Sequence, residues 1–175
     1  MCISRRVLAV ALMIAASTAG AQDRLLTVTC AEAGALELAV PAAWSAQESR
    51  HDQRIPATLT LSAPDGQSQW VVTAVWKAAE RKPPATLDEI RTRVLRTAET
   101  VGVFRATLKP LPAAAPTGYY FDAGPGITPE PYTALRQGML KVGELTVSFT
   151  AMSTASHAAD LDSAVEHLGR ARHLP

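Results

Sequence analysis

A turn between two apolar strands limits the possible folds of this chain more than any other feature. In the Pro-Asp-Gly tripeptide at 64–66 the proline presets φ and the glycine accepts positive φ, a combination typical of tight turns. Leu59 and Leu61 alternate with polar residues before the turn. After it, residues 69–77 carry apolar side chains at both odd and even positions, that is, on both faces of a strand. This pattern predicts an antiparallel hairpin whose second strand is covered on both faces, with Trp76 buried.

Six further runs have the composition of strands. They are residues 24–30, 35–40, 103–111, 117–123, 132–143 and 144–152. In the last run apolar residues alternate with Thr and Ser, which predicts that Phe149 lies in the core. The polar stretch 45–54 has no clear periodicity, and we predict a loop there.

Two helices are predicted from capping residues and apolar stripes. Thr86, followed three residues later by Glu89, is a capping box that starts the first helix, and Gly102 marks its end. The second helix starts near Ser156, and its apolar stripe extends to Leu168. The strands and helices together predict an α+β fold, with a mostly antiparallel β-sheet of about seven strands flanked by helices in an α/β/α sandwich.

Residues 1–21 have the pattern of a secretory signal peptide. Arg5 and Arg6 precede a ten-residue apolar run, and a small-x-small sequence that signal peptidase accepts ends at Ala21. The run is too short for a stable bilayer span, and an uncleaved anchor is the alternative. We therefore expect cleavage after Ala21, a periplasmic or secreted location, and a single domain over residues 22–175.

The expected mature chain is close to neutral. Cleavage would remove two of the 17 basic residues and none of the 16 acidic ones, leaving 15 against 16. This balance gives no electrostatic reason to bind nucleic acid or an anionic membrane, and we expect no membrane insertion of the mature chain. Cleavage also leaves Cys30 as the only cysteine. A buried thiol is the favoured interpretation of it, and an intermolecular disulfide is the alternative.

No familiar motif for catalysis, cofactor binding or metal binding occurs in the chain. The spacing of His157 and Asp160 allows a hydrogen bond in the first turn of a helix, which we interpret as a capping pair. His167 would lie near the end of the same helix, where a cation suits the dipole, but about 15 Å from His157 and too far to share a metal ion. We therefore predict no catalytic, cofactor-binding or metal-ligating residues.

A Gly- and Pro-rich loop between two predicted strands is the one candidate site. Its prolines stiffen the chain, and stiffness lowers the entropy cost of holding a binding shape. The candidate partner-binding residues are Gly124, Ile127, Thr128, Glu130 and Tyr132. A plain connection between strands is the alternative, and Tyr132 has its own alternative as an aromatic side chain that covers the sheet.

Four features resemble the PsbP-like superfamily, named after an extrinsic protein of photosystem II. They are VPAAW at 40–44, the hairpin at 64–76, GYYF at 118–121, and a late strand followed by a helix. The superfamily includes the bacterial DcrB-like periplasmic proteins, and the GYYF strand before a Pro-rich loop is also similar to small secreted proteobacterial proteins of unknown function. The resemblance would cover most of the mature chain. It implies an α/β/α sandwich and a binding or assembly role, with no defining set of catalytic residues.

On these grounds we expect a non-catalytic secreted or periplasmic binding or accessory module whose partner is another envelope protein. An envelope inhibitor or immunity-type protein against a toxin or hydrolase is the alternative from a different class. A hydrolase is a third hypothesis, which requires distant residues to assemble a site that no motif reveals. No cofactor is expected, and the sequence does not determine the oligomeric state.

Overall fold

The computed structural model describes residues 22–30, 33–50, 56–75, 85–112 and 115–175. In chain order these residues form β1 (Asp23–Thr29), β2 (Ala35–Pro41), β3 (Ser45–Ser49), β4 (Thr58–Ser62), β5 (Ser68–Val75), α1 (Leu87–Thr100), β6 (Lys109–Pro110), β7 (Thr117–Ala123), β8 (Ala134–Val142), β9 (Leu145–Ser153), α2 (Ala159–Leu168) and β10 (Arg172–Leu174). Seven strands form the main sheet in the order β3-β4-β5-β9-β8-β7-β6, and β1-β2-β10 form a small sheet. The pairing is antiparallel throughout, so the predicted α+β fold class is confirmed.

The predicted central hairpin is formed by β4 and β5, and Gly66 in the turn between them has a φ of 70°. Only the Trp70 face of β5 is fully buried, whereas Val71 on the opposite face is half-buried. The Trp70 face is covered more completely, because α1 packs chiefly over β7 and β8. Val71 still packs against a second apolar cluster, so β5 is covered on both faces, as predicted. The predicted burial of Trp76, like the predicted signal peptide at 1–21, lies outside the described residues.

Two apolar cores lie on opposite faces of the main sheet. The first core lies between this sheet and a layer made of the small sheet and α2, and it contains Leu38, Trp70 and Phe149. The second core lies beneath α1 and contains Val94 and Phe121. Phe149 is 2 % exposed, which confirms its predicted burial. The main sheet therefore lies between two layers that each contain a helix, in an α/β/α sandwich.

Both ends of α1 follow the prediction from sequence. Thr86 Oγ1 accepts a hydrogen bond from the Glu89 N–H (3.2 Å), and the Glu89 carboxylate accepts one from the Thr86 N–H (2.9 Å). At the other end Gly102 has a φ of 92°. The next residue, Val103, donates its N–H to the carbonyl of Ala98 (2.8 Å), the long bond of a Schellman motif. This motif fixes the direction in which the chain leaves the helix.

Two assignments at the edges of the main sheet are wrong. The sequence predicts a loop at 45–54, but Ser45–Ser49 forms β3, because pairing with β4 supplies hydrogen bonds that local periodicity does not reveal. The sequence predicts a strand at 103–111, but only Lys109–Pro110 pairs with β7. The segment before β6 turns instead and packs apolar side chains onto the second core.

The other predicted elements are present, with small corrections. The predicted strands at 24–30 and 35–40 are β1 and β2, which pair with each other in the small sheet. The third strand of that sheet, β10, is not predicted from the sequence. A 3-10 turn at Ala155–His157 precedes α2, in which Leu161 and Leu168 are buried as predicted. Cys30 is fully buried, as its favoured interpretation requires. In the part of the chain that is described, no helix has the length and apolar character needed to cross a membrane.

Candidate binding surface

The predicted partner-binding loop connects β7 to β8 and folds against the protein. Ile127 and Tyr132 are half-buried and pack onto the second core. Thr128 Oγ1 donates a hydrogen bond to the carbonyl of Tyr132 (2.9 Å), which closes the loop on itself. Gly124 is also half-buried, and Glu130 is the one exposed member of the five. The packing favours the structural interpretation of Tyr132, and it leaves Glu130 as the candidate most open to a partner.

A second loop, 101–108, joins α1 to β6, and sequence reasoning missed it because its apolar residues match a strand pattern. Phe104 in this loop is 77 % exposed, more than any other large apolar side chain of the described chain. Val103 and Ala106 on either side pack onto the second core, so the backbone that carries Phe104 is held at both ends. An aromatic residue on a fixed backbone offers a large contact area at a low entropy cost.

Arg105, directly after Phe104, has a φ of 61°, and it is the one described non-glycine residue with a positive φ. Such a conformation costs on the order of 1 kcal/mol for a side chain larger than hydrogen. Strain of this kind persists only where surrounding contacts impose it, and strained residues cluster at functional sites. Here the strained residue lies in an outward turn between two segments that face the core.

The two loops lie at the same end of the main sheet. Lys109 of β6 pairs with Tyr120 of β7, three residues before that strand ends, so the loop that leads into β6 runs past this end. The loop after β7 starts at the same place, and both loops pack onto the second core. We call the exposed residues of the two loops, chiefly Phe104, Arg105 and Glu130, the two-loop surface.

A row of ion pairs links the strands that lie next to the two-loop surface. The carboxylate of Asp122 in β7 accepts hydrogen bonds from Lys109 Nζ (2.6 Å) and Arg136 Nε (2.7 Å). Arg136 Nη1 also donates one to Asp162 of α2 (2.7 Å). Burial raises the pKa of the Asp122 carboxyl, but the hydrogen bonds from Arg136 and Lys109 outweigh that effect and hold this pKa below its usual value. Each charge in the row has a partner, and the row ties three strands to α2.

Of the histidines that the structure describes, His167 is the most buried, and it lies between Asp23 and Ser163. Its Nε2 is 3.1 Å from Asp23 Oδ1, and its Nδ1 is 2.8 Å from the Ser163 carbonyl oxygen and 3.3 Å from the Ser163 hydroxyl. A serine, a histidine and an aspartate in this order resemble a catalytic triad. The closest contact of Nδ1 is the Ser163 backbone carbonyl rather than the Ser163 hydroxyl, and the donor and acceptor roles of the ring depend on its tautomer.

Further contacts surround these three residues. Arg170 also reaches Asp23, at 3.1 Å, and the Trp70 ring lies 5.3 Å from the His167 ring. The hydrogen bond from His167 is the main cause that lowers the pKa of the Asp23 carboxyl. The cluster fastens the start of β1 to α2, a link that the predicted helix-end position of His167 did not reveal.

The predicted pair of His157 and Asp160 does not form. His157 Nε2 is 3.1 Å from Asp65 in the β4–β5 turn, and Asp160 accepts a hydrogen bond from Ser68 Oγ. The fold places this turn beside the start of α2, and partners from the hairpin replace the local pair. Both contacts fasten α2 to the main sheet.

An open depression of about 840 Å³ lies between the β8–β9 turn and the C-terminal strand. Lys141, Glu144 and Arg172 line it, but His173 within it is already engaged, with its Nε2 2.8 Å from the carbonyl of Ala33. Within the described ranges no group of three or more His, Cys, Asp or Glu residues is placed to hold a metal ion. The two-loop surface, by contrast, offers aromatic and ionic side chains suited to contact with a protein.

Comparisons with known proteins show a fold but no family. No family model matches the chain, and no curated protein matches it. A solved structure from Bacteroides thetaiotaomicron VPI-5482 is similar, with a TM-score of 0.51 and 10 % sequence identity over 80 % of this chain and 45 % of that one. This chain therefore spans less than half the length of that structure. At so low an identity the likeness shows the fold alone.

Proposed function

We propose that this chain is a non-catalytic binding or accessory module of the bacterial cell envelope, and that it contacts another envelope protein through the two-loop surface. The observation that carries this proposal is Phe104, which is 77 % exposed beside the strained Arg105. A few aromatic and arginine side chains usually contribute most of the energy of a protein–protein interface. The two-loop surface supplies one residue of each kind, adjacent in sequence.

The envelope location in this proposal rests on the leader-like sequence at 1–21, and membership of the PsbP-like superfamily belongs to the same proposal. A seven-stranded antiparallel sheet between two layers is compatible with that membership and does not distinguish it from other α+β families. Export has a direct test: protein recovered from the periplasm should begin at Gln22. Soluble protein that retains its first 21 residues in the cytoplasm would contradict it.

The docking role is tested by capture of envelope proteins on the purified mature chain. Phe104→Ser should abolish capture of a specific prey, while the unfolding midpoint stays within about 2 °C of the parent, because exposed loop side chains contribute little folding energy. Leu25→Ser is the matched control. Leu25 is an exposed apolar residue (66 %) on β1, and its replacement should leave capture unchanged.

The outcome also separates the hypotheses about the partner. Equal capture by the parent and by Phe104→Ser would show that the two-loop surface is not the docking site. A membrane complex as the prey favours the accessory role, whereas a single enzyme favours the inhibitor or immunity-type alternative.

A further inference from the structure

The two edges of the main sheet are built differently. The β6 edge consists of Lys109 and Pro110 alone, and a very short strand with lysine and proline is a common protection against the addition of another strand. The β3 edge consists of Ser45–Ser49, and every residue of it is exposed. It contains neither proline nor lysine and pairs with β4 in continuous register. The β3 edge therefore lacks the protection that the opposite edge has.

The β3 strand is also held extended from both ends. Before β3, the Trp44 side chain is buried against Trp70, with 4.4 Å between the ring centroids. The Trp44 carbonyl accepts a hydrogen bond from Arg24 Nη2 (2.7 Å). After it, Arg50 Nη2 lies 2.9 Å from the carbonyl of Thr29 and 3.0 Å from Glu48 Oε1. A strand fixed in this way does not have to be ordered when another strand pairs with it, which lowers the cost of that pairing.

We propose that β3 is an interface between two copies of this chain, in which β3 pairs antiparallel with β3 of the second copy about a two-fold axis at Gln47. A two-fold interface requires a self-complementary patch, and SAQES meets that requirement. Gln47 faces Gln47, and the amide donors and acceptors of glutamine complement one another. Ala46 faces Glu48, so no like charges lie directly opposite.

This pairing would join two seven-stranded sheets into one continuous sheet. Five residues a side bury less than the roughly 1,000 Å² expected of a stable interface, so the pair is weak and its population depends on concentration. The interface is independent of the proposed function, since the two-loop surface lies near β6 and β7, at the other edge of the main sheet. A dimer would carry two such surfaces and bind a multivalent partner with higher avidity.

A cysteine cross-link tests the register directly. Residues directly opposite in an antiparallel pair have Cα atoms about 4.5–5.5 Å apart, within the range of a disulfide. In the chain that starts at Gln22, Gln47→Cys should therefore give a covalent dimer with an added thiol oxidant, and the parent should not, because its one cysteine, Cys30, is fully buried. Ser45→Cys is the matched control on the same face of the strand. Its two thiols would lie about 13 Å apart, so it should stay monomeric.

Charge reversal tests the same interface without a covalent bond. Gln47→Lys and Gln47→Glu should each be monomeric by light scattering at concentrations where the parent self-associates, and an equal mixture of the two should restore association. Unchanged unfolding midpoints for both variants would show that the fold is intact. Equal cross-linking of Gln47→Cys and Ser45→Cys, or a parent that stays monomeric while Gln47→Cys fails to cross-link, would overturn the proposal.

Discussion

The two faces of the main sheet are covered to very different depths. The first core lies under a complete second layer, and Trp70 and Phe149 within it are each 2 % exposed. The second core lies under one helix and two loops, and at its margin Ile127 and Tyr132 are only half-buried. We therefore expect the stability of the fold to depend mainly on the first core. The surface that we expect a partner to contact lies at the half-buried edge of the second core.

The largest expected effect is in the first core. Phe149→Ala should lower the free energy of unfolding by about 3–5 kcal/mol, enough to unfold a marginally stable domain, because it leaves a cavity in a closed layer. Phe104→Ala removes the same side chain from an exposed position and should cost less than about 0.5 kcal/mol. Urea denaturation of the two variants gives the comparison. Similar losses for both would mean that the layers are wrongly assigned.

The second core should respond next. Ile90 of α1 is 0 % exposed, and Ile90→Ala should cost about 2–4 kcal/mol. Leu87, three residues earlier on α1, is 40 % exposed, so Leu87→Ala is the matched control and should cost under about 1 kcal/mol. Chemical denaturation measures both. Equal losses at the two positions would show that α1 packs on the sheet through a different face.

The ion pairs beside the two-loop surface should make stability depend on pH. The folded-state pKa of the Asp122 carboxyl is depressed, so its contribution is present above the unfolded pKa of about 3.9 and is lost as the pH falls through the folded value. Asp122→Asn should therefore lower the melting temperature at pH 7, and the difference should shrink below about pH 4. Glu166→Gln, on the exposed face of α2, is the matched control. A difference that is independent of pH would exclude this ion-pair origin.

The smallest effect is expected at the tip of the predicted loop. Glu130 is exposed, so Glu130→Ser should leave the melting temperature within about 1 °C of the parent. Tyr132→Ala should lower it measurably, because its ring packs onto the second core. Differential scanning calorimetry separates the two variants. If Tyr132→Ala were as stable as Glu130→Ser, the loop would not be part of the covering of that core.

Predictions from sequence were right where the interacting groups lie close together along the chain. The capping box joins Thr86 and Glu89, and the tight turn needs only three consecutive residues. The predictions were wrong or absent where the interacting groups lie far apart along the chain. The Asp23–His167 contact spans 144 residues, and β3 exists only because β4 lies beside it. No local period marks either of them.

The exposure of Phe104 was missed, although the end of α1 gives a local signal for it. Gly102 marks the end of α1, and a Schellman motif places the next residue, Val103, against the helix. That geometry leaves Phe104 free to face solvent. The apolar pattern of the segment favoured a strand instead, and a pattern of apolar residues does not indicate which of them the rest of the fold will cover.

By itself the sequence determined the α+β class, the central hairpin, the limits of α1 and the burial of Phe149, because these follow from turn chemistry, capping and apolar periodicity over a few residues. Only the tertiary structure decided which loop residues face the second core, which partners His157 and His167 take, and which edge strand of the main sheet is exposed along its length. Those outcomes depend on contacts between segments far apart in the chain, and such contacts exist only after the layers have packed together.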